Sequence, residues 1–266
     1  GQPFINRILG GENIPTYDWV DEVTRKGEIQ SHNLSVTGGS EQSNYFTSLS
    51  YYDQKGVFYG SDLKRYTMRF NSDHKIGKIT FGNTLLISRS VSNRQGNINP
   101  NNNTNNYLRR GLSPALIYKP IYSADGSYAG SDSHDPDAEG LLDEGNQHIV
   151  WAIKERTDLN SSNRVWASTF IDYEIVDGLV FHTMGSVDFS YVKNELYYPA
   201  NDIEGTMLVL DEDSRMGLSQ SEARTWFIEN TLTYNKTFLD SHTITALAGY
   251  QAQNYLRTNF SANDGG

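Results

Sequence analysis

Residues 179–191 read LVFHTMGSVDFSY, and the chain alternates between apolar and polar side chains along this stretch. One side of the alternation carries the apolar residues Leu179, Phe181, Val187, Phe189 and Tyr191, and the other carries the polar residues His182, Ser186, Asp188 and Ser190. Because successive side chains of a β-strand point to opposite faces of a sheet, the pattern predicts a strand with one apolar and one polar face.

The same alternation recurs along the chain and predicts about eight strands. It is clear at residues 66–70, 79–88 and 226–234, and weaker copies lie at about 30–38, 43–54, 163–174 and 242–256. Most of the predicted strands are 9 to 15 residues long. Strands of globular proteins average about 5–6 residues, whereas a tilted strand that crosses a bilayer needs about 9–11. The lengths therefore favour membrane-spanning strands.

The connections between the predicted strands alternate in length. Short turns are predicted at residues 38–42, 74–78, 175–178 and 238–241, and longer links lie between them at about 55–62, 91–160 and 194–222. Outer-membrane β-barrels have this asymmetry, with short periplasmic turns and longer outer loops. The sequence therefore predicts an all-β fold, an antiparallel meander that forms part of a large transmembrane β-barrel with its four short turns on one rim.

Aromatic residues lie near both ends of the predicted strands. The turn side carries Tyr45, Phe46, Tyr173, Phe181, Tyr234 and Phe238, and the loop side carries Tyr51, Tyr52, Tyr66, Tyr191, Trp226 and Tyr255. Two such bands are typical of the interfacial girdles of membrane proteins, since these rings combine an apolar body with a polar tip. The alternative is that aromatic residues are simply favourable in strands.

Composition excludes several other classes of protein. The chain has 266 residues, of which 37% are hydrophobic and 20% charged, so it is too apolar for a disordered protein. No run approaches the ~18 apolar residues of a membrane-spanning helix. The absence of cysteine excludes disulfides, thiolate metal sites and cysteine nucleophiles. With 22 basic and 32 acidic residues and no basic cluster, no nucleic-acid partner is expected.

We expect three regions in the chain. Residues 1–28 form a leading segment, in which residues 11–27 are predicted to contain one or two helical turns. Residues 29–257 hold the barrel strands and the long outer loops near 91–160 and 194–222, and residues 258–266 are expected to begin a further outer loop. The loop-like last residues suggest a piece of a longer chain.

Three consecutive stretches resemble one known family. Residues 18–27 read DWVDEVTRKG, residues 30–41 read QSHNLSVTGGSE, and residues 43–56 read SNYFTSLSYYDQKG. Their order and spacing resemble the SusC/RagA family of TonB-linked outer-membrane importers of Bacteroidetes, and KRYTMR at 64–69 resembles the family's next strand. The close resemblance covers about residues 16–90, and beyond them it depends on the strand and turn pattern.

The resemblance implies a non-enzymatic nutrient importer in the outer membrane, built as a plugged barrel of about 22 strands. It implies a SusD-like surface lipoprotein as a lid, TonB as the energy source through the plug, and a glycan or peptide substrate. Contact with the lipid bilayer and lipopolysaccharide is also implied, and no cofactor or metal. The eight strands correspond to the first third of such a barrel, so the plug and the TonB box are expected outside this sequence and no coupling residue is transferred.

The long link at 91–160 contains the residues that most resemble a ligand site. Asp132, His134, Asp135, Asp137, Glu139, Asp143 and Glu144 form an acidic group that suits Ca²⁺ or sugar hydroxyls. The group lacks the spacing of a calcium-binding loop, so a solvated acidic loop is the favoured interpretation. Seven asparagines in residues 97–106 allow amide contacts to a glycan, but a flexible polar loop is again favoured.

Other features of the same link concern local structure. Asp125-Gly126 predicts a hairpin turn inside the loop. The apolar residues 115–122 are expected to pack on the plug, on the lid or in a core local to the loop. Among the predicted strands, Asn71, Glu229, Asp188 and Arg69 point to the barrel lumen, where they contact the plug, line a pathway, or are simply part of a wet polar surface. No carboxylate pair or histidine is placed in a catalytic pattern.

A soluble extracellular β domain that binds glycans through aromatic platforms remains the alternative. The two hypotheses differ in where the apolar face lies, because a sandwich buries two apolar faces against each other. A barrel segment instead exposes them to lipid on its convex side. We expect exposure on one face for Phe81, Leu85, Val187, Phe189, Ile228, Leu232, Ile244 and Ala248.

Overall fold

A computed structural model of the protein describes residues 2–94, 116–129, 148–200, 214–239 and 241–264. Its strands are β1 (Glu28–Gly39), β2 (Ser43–Lys55), β3 (Ser61–Ile76), β4 (Ile79–Arg94), β5 (Thr157–Val176), β6 (Leu179–Tyr198), β7 (Arg215–Phe238) and β8 (His242–Asp264). Outside the strands, these ranges contain the helices α1 (Gln2–Leu9) and α2 (Ile149–Lys154) and the 3₁₀ turns Asp21–Val23 and Leu116–Tyr118. No helix within them has the length and apolar character needed to span a membrane.

The eight strands form one antiparallel sheet in the order in which they occur in the sequence. The first three short hairpins close at the pairs Gly39–Asn44, Ile76–Ile79 and Val176–Leu179, and the fourth closes at Phe238–His242. Since every strand is antiparallel to its neighbours, these four hairpins lie on one rim. The predicted meander is therefore confirmed, although Asp240 in the fourth turn lies outside the described residues.

Two of the short turns depend on glycine. Gly77 has φ +58° at the first central position of the two-residue turn between β3 and β4, where a type II′ hairpin requires a positive φ. Gly178 has φ +82°, and a Cβ built at this position would lie 2.5 Å from the carbonyl oxygen of Asn235. Any side chain at Gly178 would therefore displace β7 from the turn.

The strands are longer than predicted, from 12 residues in β1 to 24 in β7. β7 begins at Arg215, inside the region expected to be a long link, and β8 continues through Asp264, so the loop expected from residue 258 is strand as far as the described residues extend. The alternation of apolar and polar side chains that identifies a strand arises only where one face of the sheet contacts lipid or a protein core. Near the loop rim, polar residues such as Lys193, Glu195 and Glu222 interrupt the outward apolar run, yet the backbone ladder continues, so the sequence pattern ends before the strand does.

The register shows that the sheet has one apolar and one polar face. Residues directly opposite each other in neighbouring strands share a face, and one such row runs through Leu34, Leu49, Met68, Ile87, Val165 and Phe189. We call the side of this row the outward face and the opposite side the inward face. All eight side chains predicted to share a face lie on the outward one: six are exposed, and Phe81 and Leu85 are half-buried.

No second layer covers the outward face within the described residues. Every buried apolar side chain among these residues lies outside the strands, and Leu34, Val187 and Ile228 remain 64%, 52% and 44% exposed. The sandwich expected of a soluble glycan-binding domain is therefore wrong. β1 and β8 do not pair with each other in the described sheet, so this part of the protein is an open sheet and not a closed eight-stranded barrel.

A small core, the outer cluster, lies at the rim of the longer connections. It consists of buried Trp19, Val23, Ile121, Ile149, Val150 and Ile153, with Phe58 and Tyr128 packed against them. The leading segment, the β2–β3 connection and the link before β5 all contribute to it. The helical turn predicted within residues 11–27 is present as one 3₁₀ turn, Asp21–Val23, whereas α1 precedes that region and was not predicted.

Candidate functional site

The inward face carries a hydrogen-bonded group of side chains near the loop rim of β4–β7. Arg94 Nη2 donates to Asp158 Oδ1 over 2.9 Å and to Asn194 Oδ1 over 3.0 Å. Asn160 Nδ2 donates to the same Asn194 oxygen over 2.5 Å, and Asn194 Nδ2 donates to Ser219 Oγ over 3.0 Å. Four strands are thus cross-linked at the mouth of the inward face by amides, a hydroxyl and one ion pair.

Nearer the turn rim, polar and charged side chains of the inward face contact each other across neighbouring strands. Arg164 forms a two-point contact with Asp188, with Nε–Oδ1 and Nη2–Oδ2 distances of 2.9 and 2.5 Å. His182 Nδ1 lies 2.5 Å from Asp172 Oδ1. Two-point pairing fixes the orientation of both planar groups. The inward face is consequently strongly polar, and the charges of Arg164 and Asp188 compensate each other.

The four lumen residues predicted from the sequence all lie on the inward face, but they do not form one site. Asp188 is held by Arg164 on the neighbouring strand. Arg69 and Asn71 lie on β3, whereas Glu229 lies on β7, with three strands between them. The side-chain oxygen of Asn71 is buried and has no hydrogen-bond partner within the described residues.

The two predicted aromatic bands are only partly correct. Register places Phe46, Tyr52 and Tyr255 on the inward face, where Tyr52 contacts Arg65 with 5.5 Å between the guanidinium carbon and the ring centroid. These three rings cannot contribute to a lipid-facing girdle. The other rings lie on the outward face: Tyr45, Tyr173, Phe181, Tyr234 and Phe238 on the turn side, and Tyr51, Tyr66, Tyr191 and Trp226 on the loop side.

Buried hydrogen bonds join the segments of the outer cluster. Trp19 Nε1 donates to the carbonyl oxygen of Lys119 over 3.0 Å. His148 caps α2 by accepting from the Trp151 amide at Nδ1, and its Nε2 lies 2.9 Å from the Ile121 carbonyl oxygen, to which it donates. Both contacts suit a neutral imidazole, and burial lowers the pKa of His148. Residues 115–122 were predicted to pack on the plug, on the lid or in a core local to the loop. Ile121 packs in a local core, the outer cluster.

A polar triad covers the edge of the outer cluster. Lys154 Nζ donates to Glu22 Oε2 and to the Tyr122 hydroxyl, and the Tyr122 hydroxyl donates to Glu22 Oε2, each over 2.9 Å. The hydrogen bonds from Lys154 and then Tyr122 lower the pKa of the Glu22 carboxyl. The triad connects three segments that are remote in sequence, so it fixes their relative arrangement at the surface.

The predicted hairpin inside the long link is confirmed. Tyr122 and Tyr128 form a β-bridge, and Gly126 between them has φ +87°. The Asp125 carboxylate accepts hydrogen bonds from the hydroxyl and the amide of Ser127, which lower the pKa of Asp125. The hairpin carries Tyr128 to the outer cluster, where its hydroxyl donates to Glu155 over 2.7 Å.

Other sequence candidates lie outside the described residues. They are the asparagine-rich residues 97–106 and the acidic group from Asp132 to Glu144, so the calcium or sugar site considered for them stays a prediction. Within the described ranges, no group of three or more His, Asp or Glu side chains is arranged to hold a metal ion.

The long paired strands, the uncovered apolar face and the polar inward face define a segment of a transmembrane antiparallel β-barrel. No family model matches the chain. TonB-dependent receptor P26 of Formosa agariphila is 26% identical over 90% of the chain, and TonB-dependent receptor P3 of the same organism is 28% identical over 93%. The chain spans only 22–23% of the length of these relatives.

Structures of RagAB are among the solved structures that share this fold. The RagAB peptide transporter superposes with a TM-score of 0.70 at 19% identity, covering 94% of this chain and 27% of that one. The RagAB peptide importer in the open-open state gives a TM-score of 0.68 over 95% of this chain. The predicted resemblance to SusC/RagA-type TonB-linked proteins, the barrel fold and the outer-membrane location are confirmed.

The outer cluster was the part of this arrangement that the sequence did not reveal. Trp19 belongs to the family-like stretch at residues 18–27, and no sequence pattern singles out His148. Their joint burial brings together residues that are more than a hundred positions apart. A usable signal was the apolar run at 149–153 within the predicted long link, because an apolar segment outside the lipid-facing strands needs a partner.

Proposed function

We propose that this chain is part of an outer-membrane importer of the SusC/RagA type, which moves oligosaccharides or peptides into the periplasm. The observation that carries the proposal is the match of nearly the whole chain to TonB-dependent receptors, in a sheet whose apolar face is uncovered. The structural likeness to RagAB, named a peptide transporter, supports the same class. The relatives are named receptors and transporters, and we propose no catalytic role.

The inward face supports the proposed pathway. Its side chains at the mouth are amides, hydroxyls and paired charges, such as Asn160, Asn194 and Ser219. Groups of this kind donate and accept hydrogen bonds, which suits sugar hydroxyls and peptide amides equally well. The mouth therefore favours a substrate that is recognised through hydrogen bonds.

A SusD-like lipoprotein is the proposed partner on the loop side, and TonB the proposed energy source. The outer cluster supports a lid on that side, because it is a packed, well-connected element at the rim of the long connections. A rigid rim gives a moving lid a fixed surface to close against. Contact with TonB belongs to a plug domain, which the resemblance predicts for the whole protein.

Uptake by cells tests the proposal. The gene encoding the full-length protein is deleted, and uptake of fluorescent oligopeptides and of fluorescent oligosaccharides is measured with and without complementation. We expect one substrate class to lose uptake in the deletion strain and to regain it with the intact gene, but not with a gene lacking the TonB-contacting segment. Unchanged uptake of both classes would contradict the proposal.

A variant of the inward mouth links the activity to this chain. Asn194→Leu removes the amide that joins Arg94, Asn160 and Ser219 while leaving a side chain of similar size. We expect weaker uptake with normal amounts of protein in the outer membrane. Thr231→Val, on the inward face near the turn rim, is a matched control that removes one hydroxyl far from the mouth.

A further inference from the structure

An apolar groove crosses the outward face of the first four strands. It has a volume of about 490 Å³, within the ~300–1,000 Å³ of small-molecule sites. Its floor is formed by Leu34, Leu49, Met68 and Ile87, one from each strand in a directly paired row. Leu34, Leu49 and Ile87 are 64%, 49% and 39% exposed, so the floor is open to whatever surrounds the barrel.

The next row toward the loop rim is polar and aromatic. It consists of His32, Tyr51, Tyr66 and Arg89, all of which line the groove. His32 stacks on Tyr51 with ring centroids 6.2 Å apart, and Tyr51 lies 5.1 Å from Tyr66. The groove is therefore apolar along its floor and bounded at one end by rings, hydroxyls and a cation.

Arg89 differs from the other basic residues of the outward face. Lys193 and Arg224 pair with Glu195 and Glu222 on their own strands. Within the described residues Arg89 has no carboxylate partner and is exposed. Lys64 lies diagonally across from it on β3, in a long 3.8 Å contact with Asp53. Without a carboxylate partner among these residues, the guanidinium of Arg89 is available to an anionic group of the surrounding lipid.

The height of Arg89 fits the outer boundary of the membrane. It lies ten residues after Ile79, the first residue of β4 beyond the short turn, which is ~33 Å along a strand. At the ~35–45° tilt of barrel strands this corresponds to a rise of about 25 Å, the height of the apolar band. Arg89 thus lies at the level of the outer-leaflet headgroups, with the groove directly below it.

We propose that this groove is a specific site for lipopolysaccharide, with one acyl chain along its floor and a lipid A phosphate on Arg89. The fork of N–H donors on arginine matches a phosphate in two-point contacts. Tyr51 and Tyr66 lie at the depth where aromatic rings meet headgroups. The site is on the opposite face of the sheet from the proposed import pathway, so it serves anchoring in the outer leaflet.

Lipid titrations of the full-length protein in detergent, followed by native mass spectrometry, test the site. The probes are lipid A, dephosphorylated lipid A and phosphatidylglycerol. We expect lipid A to bind most tightly. Arg89→Gln should weaken the binding of lipid A by about tenfold or more, the scale of a lost charge-assisted contact. The affinity for dephosphorylated lipid A should stay the same. Met68→Trp places a larger side chain on the floor of the groove and should weaken the binding of both lipid A and dephosphorylated lipid A. Arg224→Gln, an arginine of the same face outside the groove, should change neither.

Each variant is first checked for a folded, heat-modifiable band, and uptake activity is measured separately. Because Arg89→Gln and Met68→Trp act on different parts of the lipid, either folded variant is informative by itself. Lipid A affinity that is unchanged in a folded variant would overturn the proposal. Phosphatidylglycerol binding as tight as lipid A, with the same loss in Arg89→Gln, would also overturn it in favour of a general anionic-lipid site.

Discussion

The sheet and the outer cluster place their apolar side chains in opposite surroundings. On the outward face, Leu34, Val187 and Ile228 are about half exposed or more, whereas Trp19, Ile149 and Val150 of the outer cluster are at most 5% exposed. The cluster follows the rules of a water-soluble core, in which apolar groups pack against each other. The sheet follows the rules of a lipid-facing barrel wall, whose apolar layer is completed by the bilayer.

The comparison shows that burial has to be judged against the local solvent. An uncovered apolar face of this extent would mark a soluble monomer as incomplete. In a barrel wall, lipid is a favourable environment for the same apolar side chains, and the polar side chains are the ones that need a partner. The inward pairs Arg164–Asp188 and Arg94–Asp158 supply such partners.

The largest expected effect is on the outer cluster. Trp19→Ala removes a buried ring and the hydrogen bond to the Lys119 carbonyl, and losses of about 3–5 kcal/mol are typical for a buried tryptophan. We expect hydrogen–deuterium exchange to accelerate in residues 116–129 and α2, with the sheet unchanged. Tyr17→Ala, at a partly exposed neighbouring position, is the control. Equal acceleration in β5–β8 would show that the cluster and the sheet are one cooperative unit.

The second prediction concerns a charge in the barrel wall. Val187→Arg places a cation in the middle of the outward apolar run of β6, where a charge costs about 2–4 kcal/mol at the bilayer midplane. We expect a lower urea midpoint for the full-length protein in phospholipid vesicles. Ser186→Arg, the adjacent residue on the inward face, should change the midpoint far less. Similar losses for both variants would mean that the two faces are wrongly assigned.

Much of the sheet could be predicted because lipid imposes a period-two pattern on the strands. Phe181, Val187 and Phe189 identify β6 without any long-range information. The pattern stops where the strands rise above the bilayer, so the ends of β7 and β8 were missed. Tyr52 and Tyr255 were assigned to girdles because an aromatic type does not reveal its face, whereas cross-strand register does.

The outer cluster could not be predicted because its contacts are long-range and irregular. Nothing in the sequence near Trp19 specifies Lys119 as its hydrogen-bond acceptor, a hundred residues away. Asp125-Gly126 was recognised because a turn is encoded by adjacent residues. A turn can be predicted from adjacent residues, while the pairing of distant loops depends on which strand ends the sheet brings together at the rim.

The third prediction is that the stability of the outer cluster depends on pH through His148. Burial lowers the pKa of His148 in the folded protein below that in an unfolded loop. The unfolded loop therefore binds more protons, and stability falls as the pH drops below the ordinary histidine value, by up to about 1.4 kcal/mol per pH unit. After correction for the intrinsic exchange rate at each pH, we expect the amide hydrogens of Trp151 and Ala152 to exchange faster at pH 5 than at pH 8.

His148→Asn is the matched variant for this pH experiment. Asparagine keeps a side-chain acceptor for the Trp151 amide but does not titrate. We expect the variant to be less stable at pH 8, where it loses the contact to the Ile121 carbonyl, but nearly insensitive to pH. A pH dependence that survives in His148→Asn would assign the effect to another group.

The smallest expected effect is at the surface triad of the outer cluster. Glu22 and Lys154 have side chains that are 37% and 38% exposed, and pairs of this kind contribute about 0–1 kcal/mol. Because the pKa of Glu22 is lowered, the contribution is present above the ordinary carboxyl pKa and is lost as the pH falls through the lowered value. We expect Glu22→Gln and Lys154→Met to accelerate exchange in α2 only slightly, and the double variant to be no worse than either single one. Added salt should reduce the small difference further, as screening does for exposed pairs. An effect as large as that of Trp19→Ala would mean that the triad, and not the apolar packing, holds the three segments of the outer cluster together.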